Sequence, residues 1–191
     1  MKFVDRFLQN WRIRKALPFI ANQSRVLDIG CGDGALFRVL GDRISFGIGI
    51  DGDSKIEVKK SDRIQIISGE FPSALPQEIL KAPSDQLCFD VIVLLAVMEH
   101  IPRESQKKLA VDCARYLKKG GLVVLTVPEP EVSTILNWLL WFKIIDGMSL
   151  EQHFGFEPLE TLEIFRPEFK LLQAKKFQLG LNNLFVFQKS D

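Results

Sequence analysis

The sequence predicts an α/β protein built on one doubly wound, mostly parallel β-sheet. Three observations carry this reading. Short runs rich in Val and Ile recur from residue 25 onward, with helical stretches between them. One such run leads directly into three alternate glycines, Gly30, Gly32 and Gly34. The last two strand-like runs are separated by too few residues to hold a helix. Buried parallel strands read as continuous apolar runs, and strand–helix alternation implies a parallel sheet.

The elements follow in order. Residues 5–22 carry Phe7, Leu8, Trp11, Ile13, Leu17, Phe19 and Ile20 among charges, which predicts a leading helical region interrupted near Pro18. Strands are expected at Arg25–Ile29, Phe46–Asp51, Ile64–Ser68, Phe89–Leu95 and Leu122–Val127. Helices are expected at Ala35–Leu40, near Ser54–Lys60, at Ser73–Lys81 and at Arg103–Lys119. The last shows the clearest stripe, Leu109, Cys113, Tyr116 and Leu117, with Gly120-Gly121 as its stop. A helix near Pro158–Phe165 then precedes Phe169–Phe177 and Asn183–Gln188, which read as an antiparallel pair.

Bulk properties narrow the classes. The 191 residues are expected to form a single domain, 1–191, with residues 1–24 as the leading helical region and 129–156 as an inserted segment that covers the sheet. Hydrophobic residues at 47% and charged residues at 26% are globular proportions. A net charge of +1 gives no reason to expect nucleic acid. Cys31, Cys88 and Cys113 have neither zinc-site nor redox-pair spacing, so no metal is expected and a reducing, cytoplasmic setting is. The apolar stretch 132–145 is interrupted by polar residues and is shorter than the roughly 20 residues of a membrane span. A peripheral membrane contact and the oligomeric state are left open.

The run Asp28-Ile29-Gly30-Cys31-Gly32-Asp33-Gly34 carries the chemistry. The glycines permit a sharp turn and remove side chains that would keep a ligand from the backbone. A helix start after the loop offers free N–H groups to an anionic group. Gly30, Gly32 and Ala35 also satisfy the dinucleotide fingerprint, so a nicotinamide cofactor competes at this stage. Asp51, at the end of the second strand, can accept both hydroxyls of an adenosine ribose under either reading.

Further stretches carry a family resemblance. Phe89-Asp90-Val91-Ile92-Val93-Leu94-Leu95-Ala96-Val97-Met98-Glu99-His100-Ile101 resembles the fourth motif of class I methyltransferases that use S-adenosylmethionine. It is most similar to the quinone-biosynthesis and methyltransferase type 11 group. Leu117-Lys118-Lys119-Gly120-Gly121-Leu122 resembles their Leu-Lys-Pro-Gly-Gly stretch, with Lys119 in place of proline, and Gly47-Ile48-Gly49-Ile50-Asp51 resembles their second motif. The resemblance implies a Rossmann-like sheet of seven strands in the order 3-2-1-4-5-7-6, the last strand antiparallel, with the cofactor across the carboxyl ends of the strands.

The resemblance also implies roles. Gly30, Cys31, Gly32 and Gly34 lie along the methionine and ribose of the cofactor, and Asp28 helps hold the methionine amino end. Asp51 takes the ribose hydroxyls and Gly52 packs near the adenine. Leu95 and Ala96 lie beside the methionine part. The family often has Gly-Asp-Ala after the third strand, where this chain has Ser68-Gly69-Glu70-Phe71-Pro72. Gly69, Glu70 and Phe71 are therefore candidates for the adenine side, with a solvated Glu70 and a core Phe71 as the alternative.

Methyl transfer is an in-line displacement from a sulfonium, so the protein chiefly aligns and shields the reactants. A hydroxyl acceptor also needs a base. His100 and His153 are the two candidates, against a helix-start role for His100 and an exposed-loop role for His153. Trp138, Trp141 and Phe142 have three readings: packing on the sheet, a lid that favours an apolar or lipid-like acceptor, or a surface for membrane or lipid. Two alternatives remain at this stage: a methyltransferase-like binding module without activity, and a nicotinamide-dependent oxidoreductase.

Overall fold

In a computed structural model, residues 3–53, 59–81, 88–129 and 157–190 are described. They form a sheet of eight strands flanked on both faces by helices. The strands are β1 (Arg25–Ile29), β2 (Phe46–Asp51), β3 (Lys59–Lys60), β4 (Ile64–Ser68), β5 (Phe89–Leu95), β6 (Leu117–Pro128), β7 (Phe169–Phe177) and β8 (Asn182–Lys189). The helices are α1 (Phe3–Ala16), α2 (Ala35–Leu40), α3 (Gln77–Leu80), α4 (Arg103–Tyr116) and α5 (Glu160–Phe165), with single 3-10 turns at Leu17–Phe19, Gly41–Arg43 and Met98–His100.

The sheet order is β3-β4-β2-β1-β5-β6-β8-β7. Without the two-residue β3, this is the expected seven-stranded order 3-2-1-4-5-7-6. β8 is antiparallel to both β6 and β7, and it lies between them. The remaining long strands pair in parallel. The sheet reverses its winding at β1, which has β2 on one side and β5 on the other. A ligand crevice opens at the carboxyl ends of the strands at such a point.

Strand alternation sorts the core into two layers. On one face, Val26, Val91, Val93, Val124, Leu184 and Val186 pack against Ile13 and Ala16 of α1 and Leu36 and Phe37 of α2. On the other, Leu27, Ile48, Ile92, Leu94, Val123 and Phe187 pack against Leu109 and Cys113 of α4 and Phe165 of α5. Phe165 stacks on Phe187 with ring centroids 5.1 Å apart. Phe89, Phe165, Phe169, Phe185 and Phe187, all fully buried, lie in the layer under α4 and α5.

Several boundaries differ from the sequence expectation. The fourth helix ends at Tyr116 rather than Lys119, and β6 begins at Leu117 rather than Leu122. Leu117 pairs with Phe89, but the next paired residue is Leu122 opposite Val91, so Lys118–Gly121 bulges out of the ladder. Gly121 thus serves close approach rather than helix termination. A Cβ there would meet Lys118 O at 2.9 Å and Asp90 O at 3.0 Å. Asp90 secures the bulge by accepting from Lys118 Nζ at 2.7 Å and from the Arg25 N–H at 2.7 Å.

The helix expected at Ser73–Lys81 shortens to Gln77–Leu80, because Pro72 and Pro76 confine the preceding residues to turns. The helix expected near Ser54–Lys60 fails at its end: Lys59 and Lys60 pair antiparallel with Ile66 and Gln65. Residues 54–58 lie outside the described residues, as do 130–156, which contain Trp138, His153 and nearly all of the expected cover segment.

Candidate functional site

The site begins where β1 ends. The N–H groups of Gly30 and Cys31 both donate to Ile50 O of the neighbouring strand, at 2.8 and 3.3 Å, which turns the chain away from the sheet. Gly32 follows with φ +51, and no atom of the described residues lies within 4 Å of where its Cβ would be. Its outer side is open space at the crevice. Gly34 starts α2 from a left-handed conformation, and a Cβ there would strike Ile66 at 2.3 Å. The Cys31 thiol is buried against Gly49, and burial with the neighbouring carboxylates pushes its pKa up, so it stays a neutral thiol.

Asp51 binds the loop directly. Its Oδ2 accepts from the Gly32 N–H at 2.8 Å and its Oδ1 from the Asp53 N–H at 2.9 Å. Asp51 is half-buried, and each carboxylate oxygen retains a lone pair for a further donor. Gly52 is exposed and open where a Cβ would stand. On the other side, Asp51 O accepts from the Gly69 N–H at 2.8 Å, which brings Gly69, Glu70 and Phe71 to the same end of the sheet. Glu70 is exposed. Phe71 is half-buried, with its edge toward Tyr116 at 5.8 Å.

Asp28 lies one strand layer below the loop and is 3% exposed. No hydrogen bond reaches its carboxyl from the described residues. Burial first, and the Asp51 charge second, push its pKa up to about 8. It is an uncharged acid at neutral pH that ionises when a cation comes near.

Leu95 and Ala96 close the other wall at the end of β5, both half-buried. Ala96 takes φ +60, a conformation a non-glycine residue rarely holds, and its N–H donates to Thr126 O at 3.0 Å. Val97 then folds back over Gly30, where it would stand 2.4 Å from an added Cβ. The 3-10 turn that follows places its two polar residues oppositely: His100 is exposed and Glu99 is buried. Burial raises the Glu99 pKa to about 7, against the pull of its own backbone hydrogen bond and of the Arg12 charge. The sequence reading placed Glu99 in the Glu-His pair after this strand but gave a role only to the histidine; its burial depends on how the 3-10 turn is oriented.

All the expected cofactor-side residues thus converge on the carboxyl ends of β1, β2, β4 and β5. His153 lies outside the described residues. A glycine loop tied to a strand-end acid, over a sheet whose last strand inserts antiparallel, defines the class of nucleoside-cofactor methyltransferase folds.

The comparisons agree. A family model described as a methyltransferase domain matches residues 2–164. The chain belongs to this methyltransferase family, and its cofactor is that of the class, S-adenosylmethionine. Two curated relatives are ubiquinone biosynthesis O-methyltransferases. That of Saccharophagus degradans is 32% identical over 109 residues, covering 52% of this chain and 41% of the relative. That of Marinobacter nauticus is 30% identical over 173 residues, covering 82% and 71%. The chain therefore spans less than half the length of the first of these. The solved N-methyltransferase NodS of Bradyrhizobium japonicum, in complex with S-adenosyl-L-homocysteine, shares the fold at a TM-score of 0.64 and 17% identity, over 100% of this chain and 89% of that one.

Proposed function

We propose that this chain, as a single domain, transfers the methyl group of S-adenosylmethionine to an oxygen of a small-molecule or lipid-like acceptor. The observation that carries the reading is the Asp51 carboxylate fixed against Gly32, with an uncharged, buried Asp28 beneath the same loop. The first suits a ribose diol beside a glycine turn. The second suits a cationic amino group arriving with the cofactor.

On this reading Asp51 accepts the ribose hydroxyls, Gly52 and the Gly69–Phe71 stretch border the adenine, and Gly30–Gly34 pass along the ribose and methionine. Asp28 faces the methionine amino end, and Leu95 and Ala96 border its sulfonium. In the reaction the acceptor oxygen forms a bond to the methyl carbon as the sulfur–carbon bond breaks. Sulfur keeps the electron pair, and the acceptor proton leaves to a base. His100, exposed at the end of β5, is one candidate for that base, and His153 is the other. The oxygen acceptor follows the two ubiquinone-biosynthesis relatives. No helix among the described residues is long and apolar enough to cross a membrane, which is compatible with the cytoplasmic setting that the cysteine pattern suggests.

Isothermal titration with S-adenosylhomocysteine and with NAD tests the cofactor half of this reading. Micromolar binding of the first and none of the second is expected. NAD binding in place of S-adenosylhomocysteine overturns it. Turnover of a labelled methyl donor in a metabolite extract then separates an enzyme from a binding module.

A further inference from the structure

The Gly30–Gly34 loop is held through most of its N–H groups by the sheet and by its own turn. Gly30 and Cys31 donate to Ile50 O, Gly32 to Asp51 Oδ2 and Gly34 to Cys31 O. Asp33 is held differently, through its oxygens and from the helix that follows. Arg38 of α2 donates from Nη1 to Asp33 O at 2.6 Å and from Nη2 to Asp33 Oδ2 at 2.6 Å. One guanidinium thus grips the main chain and the side chain of the same residue.

The place of that grip gives it leverage. Asp33 stands between Gly32 at φ +51 and Gly34 at φ +76. Glycine takes positive and negative φ about equally readily, so the peptide units on both sides of Asp33 have alternative orientations open to them. A peptide unit is planar, so a bond to Asp33 O fixes the whole Asp33–Gly34 unit. Arg38 is itself anchored. Its N–H donates to Gly34 O at 3.1 Å in the first turn of α2, and Leu36, Phe37 and Leu40 beside it are buried in the core. The contact therefore carries the rigidity of a packed helix to the part of the loop where two glycines leave the backbone most freedom.

The same contact contributes little to the stability of the fold. The two side chains are 57% and 56% exposed, and ion pairs this exposed are weak. Its effect falls on the spread of loop conformations, which a ligand must otherwise narrow as it binds. Arginine suits the task because its planar fork reaches two acceptors at once, whereas a lysine ammonium is a single point.

We propose that Arg38 is a positioning residue for S-adenosylmethionine, holding Asp33 so that the Gly32–Gly34 turn has its ligand-bearing form before the cofactor arrives. The assignment rests on the methyl-transfer reading above and adds a residue that acts through Asp33 rather than on the cofactor.

The test measures S-adenosylhomocysteine affinity by calorimetry on the full chain and four variants. Arg38→Gln loses both contacts and should raise the dissociation constant about fivefold. Asp33→Ala keeps the bond to the backbone carbonyl and should show a smaller rise. Arg38→Gln combined with Asp33→Ala should bind no more weakly than Arg38→Gln alone, because the two residues act as one unit. Arg38→Lys should recover less than half of the loss. Arg63→Gln is the control for net charge: it breaks the exposed Arg63–Asp42 pair before β4, at the opposite end of the sheet, and should leave affinity unchanged. The ligand-free Arg38→Gln chain should melt with the unaltered one, as exposed substitutions seldom alter stability much. Unchanged affinity in Arg38→Gln overturns the proposal, as do losses that add in the double variant. Full affinity in Arg38→Lys, or an equal loss in Arg63→Gln, overturns it in favour of a charge effect. A markedly lower melting temperature for Arg38→Gln overturns it in favour of a purely structural role. Failure of S-adenosylhomocysteine to bind the unaltered chain overturns the methyl-transfer reading and this proposal together.

Discussion

The Gly32 N–H donates to Oδ2 of Asp51 at 2.8 Å, so the acid at the end of β2 holds the turn at the end of β1. The two features read as separate motifs in the sequence are one hydrogen-bonded unit. On the proposed reading Asp51 serves a cofactor in two ways, by accepting from it and by fixing the loop that passes along it.

Asp51→Ala removes both. We expect S-adenosylhomocysteine affinity to fall by on the order of 2–4 kcal/mol, the sum of two hydrogen bonds to a charged acceptor. Calorimetry measures it. An unchanged dissociation constant in a folded variant would take Asp51 out of the site.

Gly32→Val separates binding from folding. The position is open within the protein, so the new side chain meets no protein atom at Cβ, but it stands in the crevice. The left-handed backbone adds roughly 1–2 kcal/mol of strain. Binding should disappear while the circular dichroism spectrum persists. Normal binding would show that the loop does not border the cofactor.

Gly121→Ala has the opposite signature. Its Cβ would press on two backbone oxygens, Lys118 O and Asp90 O, which have no rotamer by which to yield. Overpacking of this kind is expected to lower stability by about 1–3 kcal/mol, read from urea denaturation. Cofactor affinity should be unaffected in the folded fraction.

The buried acids set a pH dependence. Asp28 and Glu99 are raised from 3.8 to about 8 and from 4.5 to about 7. Between the unfolded and folded values the native state binds more protons than the unfolded chain, so stability falls as pH rises through this window. The unliganded protein should unfold at lower urea at pH 8 than at pH 5, and Asp28→Asn should flatten the slope. A cationic ligand favours the ionised form of Asp28, so S-adenosylhomocysteine should bind with release of protons between pH 6 and 8. Calorimetry in buffers of different ionisation enthalpy detects that release, and its absence would remove Asp28 from the ligand's surroundings.

Most of the sheet was legible because fully buried strands announce themselves as apolar runs with sharp ends. β1, β2, β4, β5 and β7 span the residues expected. The boundary at Tyr116–Leu117 was not legible, because Leu117 continues the apolar stripe of α4 while its backbone already pairs with Phe89. Tertiary pairing overrode a local helical pattern there. Lys59 and Lys60 carry no strand signal, and only the exposed edge of β4 makes them one. In the candidate site, the glycine loop was readable because the left-handed backbone at Gly30, Gly32 and Gly34 favours glycine. The influence of the Arg12 charge on Glu99 was not, since it links residues far apart in sequence whose burial depends on where α1 crosses the sheet.

The position of β8 has a consequence for how the molecule assembles. β6 and β7 precede it along the chain, yet the two are joined only through β8. A nascent chain that has emerged as far as Phe177 presents the unpaired edge of β6 with Val123, Val124 and Leu125 beside it, and a β7 with no partner. Such an intermediate offers a template for pairing with another chain. Completion of the sheet is thus a late, non-local event, which favours slow folding and makes occupancy by holdase chaperones most valuable during synthesis of the last hairpin.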